Sequence, residues 1–329
     1  MSAPKEIFIS SIVLFVFIGT VALFKKGHKE KAEDFHSKSI EVQVVAEEID
    51  IESTETVSKG EMTYLNPVQD ELSENQKDII WRLFTTGKDQ LPIVKTISYR
   101  SRVPWLKDRP AWISDYASYY ETSRHFIARS LNKKLDYLTQ KVSTGNRFTV
   151  LNKDLNIHFY LVIDCSRCKM WFFYHDLDLD ERVLLKTYKV GLGRFSPYEK
   201  SGLLTPHGTY VLGDKIATYK PGIQGYFQDK EVEMVQVFGT RWLPLQEVSE
   251  EGDNPRGYGL HGVPWIIGQE DGEYREHEEA IGYYESDGCI RLRQPDIEEL
   301  YAIVITKKTF VEIVSDFKDV KLPGVEIDK

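Results

Sequence analysis

Residues 286–292 read "SDGCIRL", and these seven residues set which fold and which chemistry we expect of the chain. The chain has only three cysteines, and Cys289 lies here directly after Gly288, which allows a sharp turn before the thiol. Arg291 follows two residues later, so in an extended segment it shares a face with Cys289. A nearby cation favours the thiolate, the nucleophilic form of cysteine. The pattern indicates a nucleophile, although a single cysteine in a glycine turn is more often an inert small residue.

A cysteine nucleophile also needs a base and donors for the oxyanion that forms during attack. The segment "LHGVPW" at 260–265 supplies His261 as the base. We expect the main-chain amides of Gly288 and Cys289 to face the oxyanion. His277 is a weaker rival for the base, because no glycine follows it.

Taken together, "LHGVPW" and "SDGCIRL" resemble the paired motifs of the L,D-transpeptidases of the YkuD type, a His-Gly followed by Ser-His-Gly-Cys and an Arg or Asn. The resemblance covers residues 155–305 and includes three upstream segments in the right order. They are "YLVIDCSRCKMWFFY" (160–174), "VGLGR" (190–194) and "LLTPHGTYVL" (203–212). The resemblance implies a YkuD-like β-sandwich catalytic domain, which we place at 153–315.

The same resemblance implies a cysteine peptidyl transferase that acts on peptidoglycan stem peptides without a metal or organic cofactor. Cys289 then carries over as the nucleophile and His261 as the general base, oriented by the carbonyl of Gly262. The orienting and oxyanion-side positions are Ser286, Gly262, Asp287 and Gly288. The substrate-binding positions are Arg291 and Tyr258.

Two departures from the family pattern stand out. Asp287 occupies the position of the usual histidine before Gly-Cys, and a carboxylate cannot donate a hydrogen bond to an oxyanion. We expect Asp287 to pair with Arg291 instead. The second departure is a longer segment between His261 and the nucleophile turn. Residues 268–279 ("GQEDGEYREHEE") form a mostly acidic part of this segment. We predict that they form a lid or rim over the cleft.

Short apolar or alternating runs dominate the region around these motifs and predict a mainly β domain. One of them, "VQVFGTRW" at 235–242, alternates like a strand. Only "QPDIEELYAIV" at 294–304 has helical periodicity, with a proline at its start. The other predicted strands are "IHFYLVID", "KMWFFYHD", "RVLLKTYKVGLG", "GTYVLGDK" and "LHGVPWII".

Residues 92–152 precede this domain and predict the order β-α-α-β. A small glycan-binding module of cell-wall proteins, LysM, is similar in this order and in its "Ile-Ala-x-x-Tyr-x-Thr-Ser" helix start. The loop "SRVPWLKDRPAW" (101–112) departs from the usual turn of that family, which leaves glycan binding less well supported than the fold. The positions that carry the similarity are Ile113, Ala117, Tyr119, Thr122, Ser123, Phe126, Ile127, Asn132, Gly145, Phe148 and Val150.

The amino-terminal part has a different composition. An uncharged apolar run at 7–24 predicts that residues 1–31 are a transmembrane anchor or a signal segment. Lysines after this run favour a cytoplasmic downstream part, but the wall chemistry implied above places the catalytic domain on the extracytoplasmic side of the cell envelope. We predict a flexible spacer at 32–65, an amphipathic packing helix at 66–91 and a tail at 316–329.

Net charge and cysteine spacing limit the remaining possibilities. The net charge of −9, without a sustained basic tract, argues against a nucleic-acid partner. Cys165 and Cys168 form a Cys-x-x-Cys between two predicted strands, and zinc would need two further ligands. They form a small disulfide or stay free, and the sequence does not distinguish the two.

Three functions remain open from the sequence. The first is a transpeptidase that forms 3–3 cross-links between stem tetrapeptides. The second is an L,D-carboxypeptidase, or an enzyme of the same fold that attaches a protein or a D-amino acid. The third, from another class, is a non-catalytic protein that binds the cell wall through a degenerate site.

Overall fold

The computed structural model describes residues 78–132, 141–199, 201–268 and 271–321. The predicted membrane or signal segment and the spacer therefore lie outside the described residues, as does most of the tail. Within the described ranges, no helix is long and apolar enough to cross a membrane. All of these ranges belong to one unit of the chain, Tyr64–Lys329.

The first described element is short and differs from the predicted helix over 66–91. Residues Ile80–Leu83 form a 3-10 helix, and Gly87 adopts a left-handed turn with φ +104°. In a 3-10 helix, residues three apart align on one side, so Ile80 and Leu83 are buried together. The N–H of Ile79 donates to the carbonyl of Leu185 at 2.9 Å, which fixes this segment against the catalytic region. The predicted long helix is therefore wrong for the described residues of this segment. The segment still packs against the region that follows, as predicted.

The module that follows has the predicted element order. Two strands, β1 (Val94–Ser98) and β2 (Arg147–Leu151), pair antiparallel and enclose two helices, α1 (Ile113–Tyr119) and α2 (Arg124–Asn132). Buried Tyr116, Ile127 and Phe148 form its core. The β-α-α-β order is confirmed, and a LysM identity for the module stays a prediction.

The catalytic region contains fifteen strands and two helices among the described residues. In chain order they are β3 (Ile157–Asp164), β4 (Lys169–Asp176), β5 (Glu181–Lys189), β6 (Leu192–Gly193), β7 (Gly208–Leu212), β8 (Ala217–Thr218), β9 (Gln224–Phe227), β10 (Lys230–Glu233), α3 (Val235–Phe238), β11 (Arg241–Gly252), β12 (Gly259–Gly262), β13 (Trp265–Ile267), β14 (Tyr274–Glu276), β15 (Tyr284–Ser286), β16 (Ile290–Leu292), α4 (Gln294–Val304) and β17 (Thr309–Val314). Two further 3-10 helices span Glu278–Ala280 and Phe317–Asp319. The mainly β prediction is confirmed.

Most strands join one mixed sheet in the order β16-β12-β11-β7-β17-β3-β4-β5, with β8 beside β11. Strand β11 pairs with β12 and β8 through residues 241–244 and with β7 from Leu245 onward. A strand that changes neighbours in this way turns a corner between two parts of a sheet. The β-sandwich expected from the family is thus represented here by one sheet whose two parts share β11.

One predicted strand, "VQVFGTRW", is wrong. Its first half forms the short helix α3, which ends at Gly239 with φ +58°. A Cβ at Gly239 would lie 2.7 Å from the carbonyl oxygen of Val263, so only glycine allows this close turn. The alternating pattern of Val235–Phe238 is typical of a strand, but close packing against the β12–β13 connection decides the local conformation.

Helix α4 supports the strands that carry the site. Its sequence is the one predicted as helical, and a proline lies in its first turn, as expected. Arg293, the residue before the helix, donates from Nε to Asp296 at 2.8 Å, and Lys186 contacts Asp296 and Glu299 at 3.3 and 2.6 Å. The helix is buried along most of its length, which fixes the end of β16 beneath the nucleophile turn.

Candidate active site

Two adjacent parallel strands carry the predicted base and cation. β12 and β16 pair so that His261 lies opposite Arg291 and Leu260 lies opposite Ile290. Cys289 precedes the first residue of β16. Because side chains alternate along an extended chain, Cys289 and Arg291 project to the same side as His261. The register thus places His261 beside Arg291, with Cys289 directly before β16.

The His261 imidazole is buried, with 3% of the residue exposed. Its Nδ1 lies 2.7 Å from the carbonyl oxygen of Gly262, and a carbonyl only accepts, so Nδ1 carries the proton. Nε2 is therefore the unprotonated nitrogen. Burial lowers the pKa of His261 to about 4; the Gly262 hydrogen bond raises it, and the positive charge of Arg291 lowers it further. The imidazole is neutral at physiological pH.

Two aromatic rings enclose the base. The Phe238 ring meets the imidazole edge-on at 5.4 Å between centroids, and Trp242 lies at 6.0 Å. Phe238 reaches this position because α3 turns at the end of its short helix. The rings keep water from His261 on these sides and account for its desolvation.

Cys289 is half-buried, and its Sγ lies 3.9 Å from the carbonyl oxygen of Gly257. Burial raises the pKa of the thiol to about 11; a main-chain hydrogen bond with Gly259 and the charge of Arg291 lower it, and Asp287 raises it. These two shifts favour a neutral thiol and a neutral imidazole over an ion pair. Formation of the thiolate requires transfer of the thiol proton during attack.

The turn before the cysteine needs glycine for two reasons. Gly288 has φ +118°, and a Cβ there would lie 2.3 Å from Cε1 of Tyr258 and 2.7 Å from the carbonyl oxygen of Leu204. Tyr258 thus packs directly on the nucleophile turn, as its predicted place in the site requires. Burial raises the pKa of its phenol, and the nearby Glu199 and Cys289 add to this effect.

Ser286 organises the same turn from within. Its hydroxyl donates to the carbonyl of Cys289 at 2.6 Å and accepts the N–H of Gly288 at 3.2 Å. The expectation that the Gly288 amide faces the oxyanion is therefore wrong, because this N–H already has an acceptor. The N–H of Cys289 is the remaining main-chain donor of the predicted pair.

Asp287 pairs with Arg194 and not with Arg291. The guanidinium of Arg194 donates from Nη1 to Asp287, and both side chains are about 60% exposed. This partner follows from the pairing of β15 with β6, which sets Ser286 opposite Gly193 and so brings the next residues together. The Nε of Arg291 is buried and has no hydrogen-bond partner among the described residues.

The longer segment after His261 forms a hairpin of β13 and β14 at the rim. Trp265 lies opposite Glu276, and Gln236 of α3 donates to the hydroxyl of Tyr274 at 3.2 Å. Residues 269–270 lie outside the described ranges. His277 lies 3.8 Å from Glu285, which gives this rival base a carboxylate neighbour on the rim.

The Cys165 and Cys168 thiols are free and buried, which answers the question that the sequence left open. Burial raises both pKa values, that of Cys168 to about 11. Asp164 holds the turn around them by accepting from the N–H and hydroxyl of Ser166 at 2.8 and 2.7 Å. Across the described ranges, no group of three His, Cys, Asp or Glu side chains is placed to hold a metal ion.

Sequence reasoning missed several residues of the site. Arg194, Phe238 and Trp242 contact Asp287 or the base, but each lies far from both motifs in the chain. Gly193 was quoted only as part of a strand, whereas a Cβ there would lie 2.9 Å from Cα of Gly288. The small residues of "VGLGR" were the one available signal that two backbones meet here.

Residues 158–313 match the L,D-transpeptidase catalytic domain family, YkuD. Two solved structures are similar at 16% identity and a TM-score of 0.32: the helical cell shape determining protein Pgp2 from Campylobacter jejuni, and a variant of the same protein. Each alignment covers 49% of this chain, and the chain spans about half the length of each of those proteins (49% and 48%). No curated protein matches the sequence significantly.

The family match does not extend to the β-α-α-β module. It assigns no role to individual residues. The match and the mainly β fold together support an L,D-transpeptidase catalytic domain of the YkuD type at residues 158–313.

Proposed function

We propose that the chain is a peptidoglycan L,D-transpeptidase that forms 3–3 cross-links through an acyl-enzyme on Cys289. One observation supports the proposal. The Nδ1–H of His261 is bound to Gly262, which leaves Nε2 free to act as a base, and the strand register sets His261 opposite Arg291, two residues after Cys289.

In the first half-reaction, Nε2 of His261 takes the thiol proton as Sγ attacks the carbonyl carbon of the third stem residue. A carbon–sulfur bond forms, and the bond to the nitrogen of the fourth, D-configured residue breaks. His261 returns its proton to that leaving amine. In the second half-reaction, an amine of a neighbouring stem attacks the thioester, His261 accepts its proton, and the thiol is restored.

The pKa values support proton transfer within the attack. A thiol with a raised pKa is a poor nucleophile until it loses its proton, and a neutral imidazole is ready to accept it. Arg291 stabilises the resulting thiolate, and its buried Nε remains a donor for a substrate carboxylate. The oxyanion is stabilised by the N–H of Cys289, because the N–H of Gly288 is already bonded to Ser286 and the Asp287 side chain is bound to Arg194.

Purified tetrapeptide muropeptides test the reaction. Dimers released by the wild-type chain and absent with Cys289→Ala support transfer to an amine. Tripeptides without dimers would instead establish an L,D-carboxypeptidase of the same mechanism. Dimers formed by Cys289→Ala would refute the acyl-enzyme on this residue.

A carbapenem probe separates an enzyme from a non-catalytic wall-binding protein. We expect one acyl adduct by mass spectrometry on the wild type and on the matched control Cys165→Ala, and none on Cys289→Ala. A chain that binds isolated wall material but forms no adduct would support the binding function and reject the enzyme.

We also propose that the apolar run at 7–24 anchors or exports the chain, so that the catalytic domain acts outside the cytoplasm. The β-α-α-β module would then bind glycan strands as a LysM-like module. Support for both comes from the sequence and, for the module, from its element order. Mass analysis of the mature amino terminus and a glycan pull-down with residues 78–321 test them separately.

A further inference from the structure

Helix α4 carries a buried carboxylate, that of Glu298, which is 7% exposed. The helix packs against β11 and β12, and β12 carries the base. We propose that Glu298 is a positioning residue for His261, which acts through the hydroxyl of Thr240 and the main chain beside Gly262. This role rests on the proposed function, in which His261 is the base.

Three donors converge on one oxygen of this carboxylate, Oε1 of Glu298. The hydroxyl of Thr240 donates to it at 2.9 Å, and the side-chain amide of Gln294 donates to it at 3.3 Å. The guanidinium of Arg241 forms an ion pair with it at 3.6 Å. Two of these donors belong to the residues where β11 begins, so the carboxylate joins α4 to the start of that strand.

The main chain at Thr240 lies directly against the residue that follows the base. A Cβ at Gly262 would lie 3.3 Å from the nitrogen of Thr240 and 3.4 Å from Cγ2 of Ile297 in α4. A Cβ at Gly239 would lie 2.8 Å from the carbonyl carbon of Gly262. Gly262 therefore packs against two segments, the Gly239–Thr240 main chain and α4, and Glu298 bonds one to the other.

The position of Gly262 matters because its carbonyl sets the tautomer of the base. That oxygen lies 2.7 Å from Nδ1 of His261 and keeps the proton there, which leaves Nε2 unprotonated. Trp242, two residues after Thr240, lies opposite His261 in the β11–β12 register, with its ring 6.0 Å from the imidazole. A shift of the Thr240 segment would move both the carbonyl and the ring that hold the imidazole.

Other acidic side chains of α4 serve a different contact. Asp296 and Glu299 bind Lys186 of β5 at 3.3 and 2.6 Å, and β5 lies at the far end of the sheet from β12. They fasten the helix to the sheet without touching the start of β11 through these bonds. A buried ion pair by itself adds little stability over an apolar side chain of similar size. The geometry that Glu298 fixes beside the base is therefore the better account of a carboxylate at this place.

The test uses the full chain with ¹⁵N-labelled histidine. The His261 signals are assigned by their absence in His261→Gln, and the wild type should show a protonated Nδ1 and an unprotonated Nε2. Thr240→Val removes the hydroxyl and keeps the shape of the side chain. We expect it to give a mixture of tautomers and to lower the maximal rate of carbapenem acylation about tenfold, the factor for one hydrogen bond to a charged group. The half-saturating carbapenem concentration should stay the same, and Thr240→Ser should restore the wild-type rate and tautomer.

Two variants at position 298 test the acceptor itself. Glu298→Gln keeps an oxygen that accepts from Thr240, so it should keep the tautomer and lose less of the rate than Thr240→Val. Glu298→Leu has no acceptor and should behave like Thr240→Val. Because Glu298→Leu also leaves Arg241 without its carboxylate, Thr240→Val and Thr240→Ser decide the outcome if that chain does not fold.

Matched controls separate positioning from stability. Thr149→Val removes another buried hydroxyl, which donates to the carbonyl of Leu83 at 2.7 Å, away from the base. Glu299→Gln weakens the contact of the same helix with Lys186. Both controls should lower the free energy of unfolding and leave the His261 tautomer and the acylation rate unchanged.

An unchanged tautomer and rate in Thr240→Val would overturn the role of Glu298. An equal fall in the rate of Thr149→Val would also overturn it, because lost stability would then explain both. The tautomer is read in the free chain and needs no substrate. A tautomer change in Thr240→Val, with no acylation of the wild type, would reject the enzyme and keep the positioning role. Acylation of the wild type, with no tautomer change in Thr240→Val, would reject the positioning role alone.

Discussion

Arg194 holds the nucleophile turn at two points: its main-chain N–H donates to the carbonyl of Ser286 at 2.9 Å, and its guanidinium binds Asp287. Asp287 stands where the resemblance predicts a histidine, and its ion pair with Arg194 holds this turn in place. The positive charge of Arg194 thereby offsets the effect of Asp287, which raises the pKa of the Cys289 thiol.

Loss of this pair should slow acylation modestly. Because both side chains are exposed, we expect Arg194→Gln to reduce the carbapenem acylation rate about two- to fivefold, the range for a surface ion pair of at most about 1 kcal/mol. The charge-swapped variant Arg194→Asp/Asp287→Arg should recover part of the loss. Arg275→Gln breaks a comparable exposed pair with Asp271 on the rim hairpin and serves as the control. A rate unchanged in Arg194→Gln would contradict the positioning role.

A side chain at Gly288 should be tolerated far less than one at Gly257. Gly288→Ala places a methyl group against Tyr258 and Leu204, whereas a Cβ at Gly257 meets nothing within 4 Å, although both glycines have positive φ. Backbone strain alone costs about 1–2 kcal/mol, so Gly257→Ala should lower Tm by a few degrees and retain acylation. Gly288→Ala should lose acylation almost completely. Equal behaviour of the two variants would show that strain, and not the close contact, limits the turn.

Removal of the Ser286 hydroxyl should impair catalysis more than folding. Ser286→Ala leaves the Gly288 N–H and the Cys289 carbonyl without their partner, so the turn loses both internal hydrogen bonds. We expect acylation to fall at least tenfold, with a loss of stability of about 1–2 kcal/mol in urea unfolding. Ser201→Ala removes a hydroxyl that bonds to Leu203 away from the turn and is the matched control. If Ser286→Ala were acylated as fast as Ser201→Ala, the turn would keep its shape without the Ser286 hydroxyl.

The pH profile should report the buried base. Since burial lowers the pKa of His261 to about 4, the base stays unprotonated well below its ordinary value of 6.5. Acylation should therefore persist at pH 5 and decline only near pH 4. The unfolded chain protonates this residue first, so the free energy of unfolding should fall as the pH drops from 6.5 towards 4.

His261→Gln should remove acylation and reduce the slope of that part of the stability profile, to which His125, with a pKa also lowered to about 4, still contributes. His277→Gln should leave acylation unchanged. A decline of wild-type acylation centred near pH 6.5 would mean that the base is solvated in the working enzyme.

Native alkylation should distinguish the three cysteines. Cys165 and Cys168 are buried with raised pKa values, whereas Cys289 is half-buried and open to substrate. We expect iodoacetamide at pH 8 to add one group per folded chain, on Cys289, and three groups after unfolding without a reductant. Two groups protected in the unfolded chain would show that Cys165 and Cys168 are joined.

The strands and the two motifs were predictable because their signals are local. β3 and β4 coincide with the predicted apolar runs, and α4 follows its helical period and proline start. His261 and Cys289 follow from residue chemistry and family motifs. The structure adds the β12–β16 register, which sets His261 opposite Arg291.

The errors arose where distant contacts decide. α3 looks like a strand until its contact with the β12–β13 connection is known, and with it the role of Phe238 beside the base was missed. The partner of Asp287 depends on β6 meeting β15, a pairing between segments some ninety residues apart. No local pattern in the sequence encodes the first contact, and the small residues of "VGLGR" are the only hint of the second.

β17, the last strand of the domain, lies between β3 and β7 and pairs with both. During synthesis, β3 and β7 therefore each keep an unpaired edge until residue 314 has left the ribosome. Such a chain folds late, after most of it has been synthesised.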